Sequence, residues 1–240
     1  MAQNERAKVA SSVAGALSTR IDPLLRGRLA LEGATSAREL VVAVLALGAA
    51  YGACMASFGL MRGRGYGVLH LAAVMLKVPA LFLLTLGVTF PSLYVFSALA
   101  GSQHDARRTL RLLLAATAVN AVVLASFGPV TLFFTFSTRS HAFVQLLNAV
   151  FFAIAGLVAL RLLWKQLLPA FEAGEVTARR SARSRAAYLV AAWLGVYALV
   201  GAQMAWVLRP FIGAPGAEPA VFRPTGSNVF EGLLEALGYL

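Results

Sequence analysis

Residues 68–100 read VLHLAAVMLKVPALFLLTLGVTFPSLYVFSALA, and the number of times this run crosses a membrane decides the topology of the whole chain. Its 33 residues carry one charge, Lys77, with His70 set aside. A hydrocarbon core about 30 Å thick takes about 20 helical residues per crossing. Two crossings would need about 40 residues and a turn, more than the run contains. Pro79 divides it, because proline is favoured in the first turn of a helix, where its missing N–H is one of the orphan donors. The reading is an interfacial helix over 66–77, then one span from Pro79 to Ala100, kinked at Pro91.

Four further apolar runs flank this one. Leu40 to Met61 is uncharged and closed by Arg62 and Arg64. Leu112 to Val130 ends near Gly128-Pro129 and is followed by Phe133-Phe134-Thr135-Phe136, which reads either as extra helix or as an interfacial turn. Ala142 to Leu160 closes with Arg161, Trp164 and Lys165, an aromatic and basic anchor suited to headgroup level. Ala186 to Leu208 is the last, after a basic loop holding Arg179, Arg180, Arg183 and Arg185. The expected fold is an all-α polytopic bundle of about five transmembrane helices plus interfacial helices, with residues 40–208 forming the bundle.

Composition agrees with that class. The 240 residues are 59% hydrophobic and only 13% charged, where soluble domains carry about 25% charged residues. Mean hydropathy is +0.75. The formal charge of +11 would suggest nucleic acid in a soluble protein. Here the 18 Arg and three Lys cluster between apolar runs, where they orient the chain and meet anionic headgroups, so no nucleic-acid partner is expected. Cys54 is the one cysteine and lies inside the first run, which excludes an intrachain disulfide. The first run reads as an uncleaved signal anchor, since no continuous apolar core and cleavage site precede it.

Orientation follows from the distribution of Lys and Arg. With the N-terminus inside, 15 basic residues fall on the cytoplasmic side and six on the other, which favours five spans with the C-terminus outside. Six spans would place both Arg107/Arg108/Arg111 and Arg179 to Arg185 outside and reverse the bias. The Arg- and Ala-rich composition suggests a bacterial cytoplasmic (inner) membrane. Residues 1–39, with six basic side chains, read as a cytoplasmic segment at the membrane surface. Residues 209–240 read as an external Pro-rich tail; Asn228 and Glu231 would cap a short amphipathic helix over 229–240.

Chemistry is constrained by what the runs omit. None of the ten acids falls inside these five runs, whereas proton- and cation-coupled carriers usually keep a carboxylate at membrane depth. His70, His104 and His141 lie in different connections, and no nucleophile elbow, phosphate loop or metal-ligand cluster is present. No catalytic residue, metal or cofactor is therefore expected. Lys77 is the strongest single candidate, because a cation in an apolar run costs about 2.5 to 3.5 kcal/mol at mid-bilayer. It reads as snorkelling to the interface beside Pro79, or as a headgroup or carboxylate contact. Asn120, Gln145, Asn148 and Gln203 read as interhelical hydrogen bonders, with the lining of a polar groove as the sharper alternative. Gly48, Gly52 and Ala56, and Ala187, Ala191 and Gly195, recur at four-residue spacing, which suits close helix packing and leaves homo-oligomerisation open.

The stretches Lys77-Val78-Pro79 through Phe90-Pro91-Ser92-Leu93-Tyr94, Gly128-Pro129-Val130-Thr131, Arg209-Pro210-Phe211-Ile212-Gly213 and Phe222-Arg223-Pro224 resemble uncharacterised bacterial multi-pass proteins loosely grouped with the Yip1 family, whose five-span topology the chain shares. The Asp-Leu-Tyr-Gly-Pro signature of the eukaryotic members is absent. The resemblance, over residues 40–240, implies a non-enzymatic membrane scaffold or accessory protein. Its basic cytoplasmic segments, Arg179, Arg180, Arg183 and Arg185 among them, would contact anionic lipid of the bilayer or a membrane or cytoplasmic protein partner. A small permease or lipid-handling protein, using Lys77 and the four amides, is the alternative.

Overall fold

The structure, a computed structural model, describes residues 36–62, 67–99, 106–174, 180–208 and 211–212. The chain-entry segment before Ser36 and most of the tail, with its expected helix over 229–240, lie outside the described residues. At Ser36 the side-chain oxygen accepts a 3.2 Å hydrogen bond from the Glu39 N–H. That bond satisfies an orphan donor and opens α1 (Ala37–Arg62). Four more long helices follow, one of them in two pieces: α2 (Val68–Leu99), α3 (Ala106–Ser126) continued by α4 (Gly128–Ser137), α5 (His141–Gly174) and α6 (Arg180–Val207). Among the described residues the secondary structure is helical throughout.

Five segments are long and apolar enough to cross a membrane: Ala37–Met61, Val68–Phe96, Ala106–Ser137, His141–Pro169 and Ala187–Val207. The number of spans agrees with the sequence, but several of their boundaries do not. The expected interfacial helix over 66–77 does not exist as a separate element, because α2 runs without a break through Lys77 and Pro79. Pro79 sits inside the helix, where its missing N–H removes one backbone hydrogen bond. Its Cα and Cβ lie against α1 at Gly48, and packing of this kind lets membrane helices tolerate proline.

The third span is broken where the sequence suggested trouble. Pro129 cannot donate to the carbonyl four residues back, so the chain tightens at Phe127, whose N–H bonds the Leu124 carbonyl at 2.9 Å. Helical bonding resumes with Thr131 N–H to Phe127 O at 2.9 Å. The aromatic run 133–136 is thus helix, the first of the two readings, and the span extends to Ser137 rather than Val130. The fourth span also passes its expected end: α5 continues beyond Arg161 to Gly174. The expected basic loop is partly helix, since Arg180, Arg183 and Arg185 lie on the first turns of α6, while Arg179 lies outside the described residues.

Packing is arranged around α3, where every residue from Leu112 to Val119 is buried. A helix buried all round lies at the centre, and α1, α2 and α5 pack against it. The last span is peripheral: 17% of its apolar window is buried, against 50% for the third span. Helices α1 and α2 cross closely and antiparallel. A Cβ at Gly48 would lie 3.1 Å from Pro79 Cβ, and one at Gly52 only 2.8 Å from the Val74 carbonyl oxygen. The two glycines therefore bring backbone against backbone, as small residues do in membrane packing. Helix α6 runs antiparallel to α2, with Gly201 at Thr85 and Trp193 at Ser92.

Candidate functional site

Polar side chains inside an apolar bundle must find partners, because water is not at hand to replace them. In α2, Thr85 and Thr89 donate to the carbonyls of Leu81 and Thr85, each at 2.7 Å. Thr117 in α3 does the same to Leu113 O at 2.8 Å. Ser92 donates to Thr89 O at 2.7 Å and accepts from the Trp193 indole N–H at 3.1 Å, which fastens α6 to α2. The Trp193 ring lies 5.5 Å from that of Tyr197, and Tyr197 meets the Thr117 hydroxyl on the central helix.

A second polar group joins α1, α4 and α5. The Tyr51 hydroxyl donates to Asn148 Oδ1 at 2.6 Å, and Asn148 Nδ2 donates to the Val144 carbonyl at 2.8 Å. Both residues are buried, Tyr51 completely. Phe152 stands edge-on to the Tyr51 ring at 5.8 Å and closes that side. The Thr131 hydroxyl comes from α4 to the Tyr51 phenol. Across from it, the Cys54 sulfur is 3.2 Å from where a Cβ of Gly128 would stand.

Lys77 is buried, 5% exposed, and is the tenth residue of α2, about 14 Å along the helix from its start. The bundle encloses its side chain. His70 lies two turns earlier on the same helical face, buried, in electrostatic range of Lys77 and beside the backbone of Phe211. Among the described residues no group of three or more His, Cys, Asp and Glu could hold a metal ion.

The five candidate groove residues are placed apart. Asn148 is buried on Tyr51, Lys77 is buried in α2, and Asn120 is half-buried with its Oδ1 enclosed and without a hydrogen-bond partner among the described residues. Gln145 and Gln203 are exposed on the outer surface. Gln145 and Asn148, three positions apart, straddle the edge of the buried face of α5 and do not form one patch. Tyr51 and Thr131 were not marked by sequence reasoning. A tyrosine amid small residues, Ala49 to Ala53, in the middle of a span was the available signal.

The described basic side chains are unevenly distributed. Arg38 opens α1, Arg107, Arg108 and Arg111 open α3, and Arg161 and Lys165 fall after about 20 residues, or 30 Å, of α5. Antiparallel succession of the spans puts all six at one end of the bundle. The start of α6, with Arg180, Arg183 and Arg185 before its apolar window at Ala187, is at that end too. Arg62 and Arg139 are at the other end.

No protein-family model matches this chain, and comparison with curated proteins and with solved structures returns no match. The fold therefore defines the class by itself: an all-helical integral membrane protein with five candidate spans.

Proposed function

We propose that the chain is a non-enzymatic membrane accessory protein whose basic end engages anionic lipid headgroups, and that this end is cytoplasmic. The observation that carries this reading is the segregation of Arg38, Arg107, Arg108, Arg111, Arg161 and Lys165 to one end of the bundle. Basic side chains beside spans favour the cytoplasmic face. Each contributes about 1 kcal/mol of attraction to an anionic surface within a Debye length. Helices α5 and α6 add to the effect by running past their apolar windows at this end, which carries Arg180, Arg183 and Arg185 beyond the span proper.

Native mass spectrometry of the protein released from nanodiscs of mixed neutral and anionic lipid tests the proposal. The chain should retain anionic lipid in excess of its share, and the joint substitution of Arg179, Arg180, Arg183 and Arg185 by Gln should reduce the excess. Equal retention by both proteins contradicts lipid engagement by these residues. A protein co-purifying with the unsubstituted chain and lost from the variant would move the reading to a protein partner.

A polar transport groove is the weaker reading. Burial of Lys77 favours it, but Gln145 and Gln203 face outward, away from Asn148 and Lys77.

A further inference from the structure

The Thr131 hydroxyl departs from the pattern of three other helix threonines. Thr85, Thr89 and Thr117 each return their hydroxyl to the carbonyl four residues back, the usual refuge of a hydroxyl in an apolar helix. Thr131 is completely buried, yet its Oγ1 makes no hydrogen bond among the described residues. It stands within interaction range of the Tyr51 phenol but outside hydrogen-bond geometry. A buried hydroxyl without a partner costs about 1 to 3 kcal/mol, so the position calls for a ligand.

Two further features suit a small one. Tyr51 spends its O–H on Asn148 and keeps lone pairs on Oη, while Asn148 Nδ2 uses one of its two N–H groups on Val144. Donor and acceptor capacity thus remains on three side chains from three helices. Gly128, one turn before Thr131, is buried, and the Cys54 sulfur of α1 stands 3.2 Å from where its Cβ would be, so no side chain at this position separates α4 from α1.

We propose that Thr131, Tyr51 and Asn148 form an internal binding site for one water molecule, which bridges the kinked segment α4 to α1 and α5 inside the membrane. A buried water typically makes about three hydrogen bonds to otherwise unsatisfied groups, and this site offers Thr131 Oγ1, Tyr51 Oη and the second Asn148 N–H. The water gives α4 a fixed seat after the break at Phe127, where the helix has lost backbone bonding to Pro129.

Water-edited solid-state NMR on the full chain in lipid nanodiscs tests the site, with backbone amides of the lipid-facing Leu157 region as the dry control. Magnetisation should pass from water to the Asn148 side-chain amide while the control stays dark. Thr131→Val should abolish the transfer and Thr131→Ser should keep it. A dark Asn148 amide in the unsubstituted protein overturns the proposal whatever the variants do. So does undiminished transfer in a folded Thr131→Val protein, or a water-resolving structure with Thr131 Oγ1 bonded directly to Tyr51 or to the Phe127 carbonyl.

Discussion

The Tyr51 hydroxyl and the Asn148 carboxamide meet at 2.6 Å across 97 positions of sequence, in the interior of a bundle whose surroundings are aliphatic and aromatic. This bond joins the first span to the fourth, which otherwise touch little because the third lies between them. Interhelical bonds of this kind in membranes average about 0.6 kcal/mol, with a ceiling near 1.7. Tyr51→Phe should therefore lower stability by about 1 kcal/mol, and Asn148→Leu by somewhat more, since it leaves the phenol buried without its acceptor. Unfolding by steric trapping in bicelles checks both, and the double variant should lose less than the sum of the two.

Close approach of α1 and α2 rests on Gly52. A Cβ there would stand 2.8 Å from the Val74 carbonyl and 3.1 Å from Met75 Cα, both of them backbone. Gly52→Ala should destabilise by about 1 to 3 kcal/mol, the usual cost of overpacking. Gly195→Ala, where a Cβ meets nothing within 4 Å, should be close to neutral. Thermal unfolding of the two variants side by side gives the comparison.

Lys77 and Lys165 should differ in reactivity. The first is 5% exposed inside the bundle and the second is exposed beyond the fourth apolar run. Brief treatment in nanodiscs with an amine-reactive ester, read by peptide mass spectrometry, should modify Lys165 and spare Lys77. Comparable labelling would mean that Lys77 reaches an interface after all.

What the sequence made legible, and what it hid, divides along the range of the interactions. The count of spans depends on run length alone, and Gly48 and Gly52 announced close packing through their spacing. Lys77 and Pro79 misled because local preference places a proline at a helix start, whereas here the Gly48 contact on another helix holds it in the interior of α2. Ser36 and Glu39 carry a local cap signal at the edge of a basic segment, one that needs no partner from another helix. The Tyr51–Asn148 bond and the approach of Thr131 to Tyr51 could not be read, because their partners lie on helices brought together only by the fold. Gln145 and Asn148 show the same limit: three residues apart, one is lipid-facing and the other buried, and helical spacing alone does not locate the edge between them.

Topology carries both the fold and the proposed function, and single cysteines introduced into a Cys54→Ser background test it most directly. Arg108→Cys and Ser181→Cys should react with a membrane-impermeant maleimide from the cytoplasmic side, and Ser140→Cys from the opposite side. Labelling of Arg108→Cys and Ser140→Cys from the same side would contradict a third span from Ala106 to Ser137, and with it the five-span account.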